Sequence, residues 1–190
     1  MGFNGAEGST IDEAALRVFH EDEVWGGLGA MLACDLPLLA QIEGNCMGAG
    51  VEIASCCDIR VAGSGARFGA PIAKLGFPMA PREAALVARE AGAATAREML
   101  LEAAVLDANE MKARGFLNTV LPDGTLTPAV LARAQRICAL SPQAARLNKQ
   151  ALRTTQGAMP ATGEGAYRYA DSLEHREGIA AFMAKRPAVF

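Results

Sequence analysis

The sequence predicts an α/β fold that continues into a helical region. In the first two thirds of the chain, short apolar runs typical of strands alternate with segments of helical periodicity, which is the pattern of an α/β unit. After Asp123-Gly124 the pattern is helical throughout. About four strands are visible, which is few for a parallel sheet that is covered on both faces. We therefore expect an α/β core over residues 1–124 and a helical region over residues 125–190.

The first element is a helix expected from Ile11 to about Cys34, because apolar residues recur there at helical spacings. Residues 9–12, "STID", offer side chains that cap a helix start, and Pro37 ends the segment. Glycines within residues 26–29 weaken its middle, so two shorter helices are an alternative.

A short buried strand is expected next, in "LLAQIE" at residues 38–43, followed by a loop at residues 44–46. A short helix at 48–56 and a strand in "DIRVAG" at 58–63 follow, and "ARFGAP" is extended. The remaining expected elements are a strand in "FLNTVL" and helices at 82–91, 94–102, 107–114, 126–140, 142–156, 162–172 and 174–185.

Composition narrows the classes of function. The 190 residues suit one domain, or one domain with a tail, and a hydrophobic content of 51% is enough to bury a core. The net charge is −3 and there is no basic run, which argues against nucleic acid as a partner.

The cysteines and the apolar runs indicate a compartment. The five cysteines are odd in number and lack metal-ligand spacing, and there are only two histidines, so we expect a reducing compartment and no structural metal. No apolar run reaches the roughly 20 residues of a membrane span, and the N-terminus lacks the pattern of a secretory signal. These observations predict a cytoplasmic protein without a membrane partner.

One stretch, "IEGNCMGAGVEIASCCDIRVAG" at residues 42–63, concentrates small residues before a carboxylate. The first amides of a helix lack intrahelical acceptors, and small residues such as Gly48, Ala49 and Gly50 let a ligand oxygen approach them. The side chain of Glu52 leans back toward the same space. Such an arrangement polarises a carbonyl and moves a proton beside it. The alternative is a plain tight turn with a solvated glutamate, which local sequence alone favours.

Nucleotide sites are excluded by spacing. A dinucleotide-binding fingerprint that starts at Gly48 or Gly63 needs a glycine five residues later, where the chain has Ile53 and Phe68. The chain also lacks a P-loop and a serine nucleophile elbow. A nucleotide-binding oxidoreductase is therefore not favoured.

Three separated segments resemble the enoyl-CoA hydratase/isomerase, or crotonase, superfamily. They are "LPLLAQIEGNCMGAGVEIASCCDIRVAG" (36–63), "ARFGAPIAKLGFP" (66–78) and "EHREGIAAFMAKRPAVF" (174–190). The resemblance implies a spiral of β-β-α units, a C-terminal helical region that mediates trimerisation, and a homotrimer or hexamer. Compared with the family's pattern, this chain is expected to lack much of the N-terminal half.

The resemblance also implies a substrate, an acyl-CoA thioester, with coenzyme A as part of that substrate and no further cofactor. Its carbonyl oxygen would lie between two backbone amides that stabilise an enolate. Ala49 matches the position of one amide, flanked by Gly48 and Gly50 in the substrate site. "FNGAEG" at residues 3–8 resembles the loop that supplies the other amide, so the resemblance implies that the amide of Ala6 is the second donor.

Glu52 matches one of the family's two catalytic glutamates, whereas the position of the other holds Ile72. In the family, hydration uses two carboxylates for its proton transfers. An isoleucine at the second position therefore favours a reaction that needs a single carboxylate, such as isomerisation. Glu43 and Glu83 are possible substitutes outside the matching position, and surface salt bridging is the expectation for both.

Two C-terminal residues, Phe182 and Lys185, match positions that approach the CoA moiety from a neighbouring subunit. The alternative is a core anchor for Phe182 and a helix-end charge for Lys185. Asp58 is expected to be structural, and Arg82 to be a surface charge at a helix start. The sequence favours an acyl-CoA enzyme, and the competing hypothesis is a non-catalytic acyl-CoA-binding or assembly subunit of the same fold.

Overall fold

A computed structural model of the chain describes residues 12–154 and 168–190. Ala6 and its loop, and part of the helix expected at 162–172, lie outside the described residues. Within them the strands are β1 (Leu39–Ile42), β2 (Asn45–Met47), β3 (Ile59–Gly63), β4 (Arg67–Gly69), β5 (Val105–Asp107) and β6 (Thr119–Leu121). The helices are α1 (Glu13–Arg17), α2 (Trp25–Ala33), α3 (Ala49–Ser55), α4 (Pro81–Ala91), α5 (Ala93–Leu101), α6 (Ala108–Ala113), α7 (Leu126–Cys138), α8 (Pro142–Thr154) and α9 (Leu173–Met183).

The strands form two small sheets, in the orders β1-β3-β6 and β2-β4-β5. All pairs are parallel except β4 with β5. Strands β1 and β2 followed by α3, and then β3 and β4 followed by α4, are successive β-β-α units. Each unit adds one strand to each sheet, so the chain winds as a spiral. This confirms the predicted α/β spiral with helices at the C-terminus.

Two strands were not expected from the sequence. Residues 45–47 form β2 rather than a loop, because pairing with β4 satisfies their backbone groups. Residues 105–107 form β5, ahead of a helix that starts with a capping box between Asp107 and Glu110. Three-residue strands are too short to show an alternating pattern, so four expected strands became six in the described part of the chain.

The N-terminal helical stretch is continuous. Asp12 caps α1 by accepting a hydrogen bond of 2.8 Å from the amide of Ala15, as the sequence predicted. A π-helical segment, Val18–Val24, then connects α1 to α2. The glycines within residues 26–29 lie inside α2 instead of ending it, because Leu28 packs in a buried cluster with Cys56 and Leu86. Tertiary packing therefore outweighs the low helix propensity of glycine.

A buried arginine fixes α3 relative to its neighbours. The guanidinium of Arg60, on β3, donates to the carbonyls of Ala54 (3.3 Å), Cys57 (3.0 Å) and Phe116 (2.6 Å). It also pairs with Glu90 of α4 at 3.3 Å. Because these bonds connect the end of α3 to α4, they set the position of the short helix that carries Glu52.

The C-terminal region is helical, as expected. Helix α7 packs against β1 and β3, and α9 packs mainly against the 3-10 turn Arg168–Asp171. Asp58 accepts hydrogen bonds from the amide of Leu38 (2.6 Å) and from Lys149 of α8 (2.7 Å), which fits the structural role expected of it. Within the described ranges, none of the helices combines the length and apolarity that crossing a bilayer requires.

Candidate functional site

Gly48 shapes the turn between β2 and α3. Its φ of +50° and ψ of −115° lie in a region that glycine adopts at low cost. Its amide donates to the carbonyl of Gly69 at 2.9 Å, and its own carbonyl accepts the amides of Val51 and Glu52. The amide of Gly48 is therefore used inside the protein, which leaves this residue a conformational role in the site.

The next two amides are different. Ala49 and Gly50 are the first two residues of α3, where the helix supplies no acceptor for their N–H groups. No acceptor for either amide is found among residues 12–154 and 168–190. A Cβ at Gly50 would lie 3.5 Å from the sulfur of Cys46, an ordinary contact, so sterics do not require glycine there. Two adjacent donors are thus available at the start of α3.

Glu52 is buried one turn further along the helix. It is 6% exposed, and no described residue forms a hydrogen bond with its carboxylate. Burial, followed by the nearby carboxylate of Glu83, raises the pKa of Glu52 from 4.5 to about 7, against an opposing contribution from His20. A carboxyl group with a pKa near 7 gives and takes protons readily at neutral pH.

This raised pKa makes a prediction about stability. Between pH 4.5 and about 7, the folded protein retains a proton at Glu52 that the unfolded chain loses, so the free energy of unfolding falls as the pH rises through this range. We expect Glu52→Gln to remove this loss, which amounts to about 3 kcal/mol at most. Urea denaturation of both proteins at several pH values measures it. Parallel pH dependences in the two proteins would contradict the raised pKa.

Glu83 corrects an expectation from the sequence. It lies in the first turn of α4 and is 3% exposed, so the surface salt bridge expected for it is wrong. Its Oε1 lies 2.8 Å from Nδ1 of His20, which is in the π-helical segment. Because α3 packs against α4, Glu52, Glu83 and His20 share one region of the protein. The two residues are 63 positions apart, so inspection of the local sequence could not pair them.

A cavity of about 970 Å³ lies beside this group, between the N-terminal helical stretch and residues 77–81. His20 is on its wall, and most of the other lining side chains are apolar. The apolar ones are Leu16, Phe19, Phe77, Pro78, Met79, Ala80 and Pro81. Arg82 lies next to it, 3.2 Å from Glu21 and with its guanidinium 5.6 Å from the ring of Trp25, in keeping with the surface charge expected at this helix start.

Ile72 occupies an apolar environment. It is half-buried on the 3-10 turn Pro71–Leu75, packs against the core, and lines a separate cavity of about 480 Å³. Glu43 is exposed and accepts a hydrogen bond of 3.0 Å from Gln41, as expected for a surface carboxylate. Neither position supplies a buried carboxylate.

The two C-terminal residues are at the surface of the single chain. Phe182 is 80% exposed, so it is not the core anchor of α9. Lys185 is also exposed and has a φ of +51°, just after the helix end. Helix α9 packs mainly against Arg168–Asp171 rather than against α3. Within one chain, these residues therefore belong to a different surface from Glu52.

Comparison with known proteins identifies the family. The family model for enoyl-CoA hydratase/isomerase matches residues 6–190. The 2,3-dehydroadipyl-CoA hydratase of Escherichia coli K12 is 32% identical over 194 residues, covering 98% of this chain and 75% of that protein. The crotonyl-CoA hydratase of Syntrophomonas wolfei is 31% identical, covering 90% of this chain and 69% of that protein.

A solved structure agrees with the sequence matches. The crystal structure of an enoyl-CoA hydratase/carnithine racemase from Magnetospirillum magneticum superposes with a TM-score of 0.88 at 37% identity, covering 94% of this chain and 68% of that one. The resemblance of the three sequence segments and the spiral of β-β-α units point the same way. The chain belongs to the enoyl-CoA hydratase/isomerase family.

Proposed function

We propose that this protein processes an acyl-CoA thioester through an enolate, with Glu52 as the group that moves the proton. The observation that carries the proposal is the burial of Glu52, with a pKa of about 7, one turn after two amides that have no acceptor among the described residues. The names of the two hydratases, each of which specifies a CoA thioester, support this substrate class.

The amide of Ala49 is the proposed hydrogen-bond donor to the thioester oxygen, with Gly50 beside it and Gly48 holding the turn. Charge that develops on this oxygen is stabilised by donors that are already in place, which is worth several kcal/mol in known sites. Ala6, outside the described residues, is the proposed second donor. Alanine in place of glycine at position 49 leaves the donor unchanged, because the hydrogen bond comes from the backbone amide and not from the side chain.

Glu52 as a carboxylate takes a proton from the α-carbon of a 3-enoyl thioester. The electron pair of that C–H bond moves into the enolate, whose oxygen the Ala49 amide stabilises. Return of the same proton to the γ-carbon, with reformation of the thioester carbonyl, leaves the double bond between the α- and β-carbons. One carboxylate suffices for this isomerisation, which fits the apolar side chain at Ile72.

The C-terminal region has a proposed role in assembly and in CoA binding. Phe182 and Lys185 would contact the CoA moiety bound to a neighbouring subunit of a trimer or hexamer. The exposure of Phe182, and of other apolar side chains at the C-terminus such as Leu173 and Val189, supports a surface that other subunits cover.

Proton exchange tests the enolate directly. In D₂O, the wild-type protein is expected to exchange the α-protons of butyryl-CoA for deuterium, which NMR detects, and to convert 3-hexenoyl-CoA to its 2-enoyl isomer. The competing hypothesis, a non-catalytic acyl-CoA-binding subunit, predicts binding of both thioesters without exchange or isomerisation.

A further inference from the structure

A second buried acid lies near Glu52, and the proposed chemistry leaves it unused. The side chain of Glu83 is 5% exposed and its only hydrogen-bond partner among the described residues is His20. A buried carboxylate without a partner is costly, so the contact with the imidazole stabilises it. The same contact fixes the orientation of the imidazole.

The orientation of His20 exposes one nitrogen. Nδ1 is held by Glu83 at 2.8 Å, and Nε2 has no hydrogen-bond partner in the described part of the chain. The imidazole side chain is 26% exposed and forms part of the wall of the 970 Å³ cavity. The ring of Phe19 lies edge-on at 5.0 Å and further restricts the imidazole. A neutral imidazole held at Nδ1–H by a carboxylate presents Nε2 as a proton acceptor.

We propose that His20, positioned by Glu83, is a second proton-transfer group of this site and activates water for addition to a 2-enoyl thioester. The inference rests on the enolate chemistry proposed at Glu52 and adds hydration to isomerisation. His20 lies in the π-helical segment and Glu83 at the start of α4. Together they would supply the second proton-transfer group that the side chain of Ile72 cannot provide. Sequence alone did not favour hydration, because Ile72 stands at the position of the second carboxylate.

The step balances with water as the only other reactant. Nε2 of His20 takes a proton from water as the water oxygen forms a bond to the β-carbon. The π electrons of the double bond move toward the thioester, giving an enolate whose oxygen the Ala49 amide stabilises. The protonated carboxyl of Glu52 then gives its proton to the α-carbon. Return of the proton from His20 to Glu52, through solvent, restores the starting state and leaves a 3-hydroxyacyl thioester.

Several charged groups surround the imidazole. Glu83 faces it from α4 and Glu52 acts on the same region from α3. The cavity wall also carries charged side chains from its own helical stretch, and Arg82 adds a positive charge beside one of them. These wall residues are Glu13, Arg17 and Glu21.

The competing interpretation is that the His20–Glu83 pair only holds the π-helical segment against α4. One substitution distinguishes this structural role from the catalytic role. In His20→Asn, the side-chain amide nitrogen takes the place of Nδ1 and keeps a donor for Glu83, whereas Nε2 is lost. We expect this variant to lower kcat for hydration of crotonyl-CoA by roughly 10²- to 10⁴-fold with little change in KM. Its thermal midpoint should stay close to that of the wild type.

Glu83→Gln tests the positioning role. Because a neutral amide holds the imidazole less firmly than a carboxylate does, this variant should lower kcat for hydration with little change in KM. Glu98→Gln is the control, because Glu98 is an ion-paired carboxylate on the neighbouring helix α5 and lies outside the Arg60 network. It should leave kcat for hydration unchanged even where it lowers stability.

Isomerisation of 3-hexenoyl-CoA separates the two proposals. His20→Asn is expected to retain isomerisation while hydration falls. A wild-type protein that isomerises but does not hydrate, or a His20→Asn variant that hydrates at the wild-type rate, would overturn the assignment of His20 and leave the proposed function standing. If wild-type protein catalyses neither reaction and no α-proton exchange, both proposals are wrong.

Discussion

Replacing Glu52 with glutamine is expected to lower kcat for turnover of 3-hexenoyl-CoA by about 10²- to 10⁴-fold, the usual contribution of a positioned acid or base. Glutamine has nearly the same shape but cannot exchange a proton at neutral pH. The Ala49 and Gly50 amides remain in place, so binding of the thioester should change little. Steady-state kinetics together with isothermal titration of butyryl-CoA measure the two effects separately.

Glu43→Gln is the control for this variant. Glu43 is an exposed carboxylate nine residues earlier, at the end of β1, and its hydrogen bond to Gln41 does not involve α3. It should turn over 3-hexenoyl-CoA at the wild-type rate. A Glu52→Gln protein with wild-type kcat would remove Glu52 from the mechanism and would favour the non-catalytic hypothesis.

Replacing Arg60 with leucine is expected to destabilise the fold by about 3–5 kcal/mol, because it leaves three carbonyls without their donor and leaves Glu90 with Arg89 as its remaining partner. Two of these carbonyls belong to Ala54 and Cys57, at and just after the end of α3. Loss of these bonds should therefore also disorder the site before the whole protein unfolds. Urea denaturation followed by circular dichroism measures the change.

Arg114→Leu provides the comparison. Arg114 pairs with Glu98 at 2.8 Å, but their side chains are 30% and 35% exposed, so solvent screens the ion pair. We expect a loss of about 1 kcal/mol or less. Equal losses in the two variants would mean that the Arg60 network does not hold α3 as described.

The sequence predicted those parts of the fold that have a periodic or local signal. The strand in "LLAQIE", the helix after Gly48 and the cap at Asp12 depend on neighbouring residues, and the structure has all three. Strands β2 and β5 depend on partners far along the chain, so their three residues carried no signal of their own. Pairing of distant segments is the part of this fold that local inspection could not supply.

The candidate site also has one part that local sequence predicts and one part that depends on distant contacts. The position of Glu52 one turn after small residues is a local pattern, and the structure buries its carboxylate as the proposed chemistry requires. The carboxylate of Glu83 depends on the packing of α4 against α3 and on a histidine 63 residues earlier. In the sequence, Glu83 lies at a helix start and outside the matching position of the family's second glutamate, so a surface salt bridge is the expectation for it.

We propose that a thioester oxygen binds the amides of Ala49 and Gly50, which have no acceptor among the described residues, while Glu52 transfers the proton beside it. A crystal structure of the assembled protein with a non-reactive acyl-CoA analogue tests this directly. We expect the thioester oxygen at hydrogen-bond distance, about 3 Å, from the amide of Ala49, with the Glu52 carboxylate facing the α-carbon. An analogue bound elsewhere, or an Ala49 amide bonded to a protein acceptor in the complex, would contradict it.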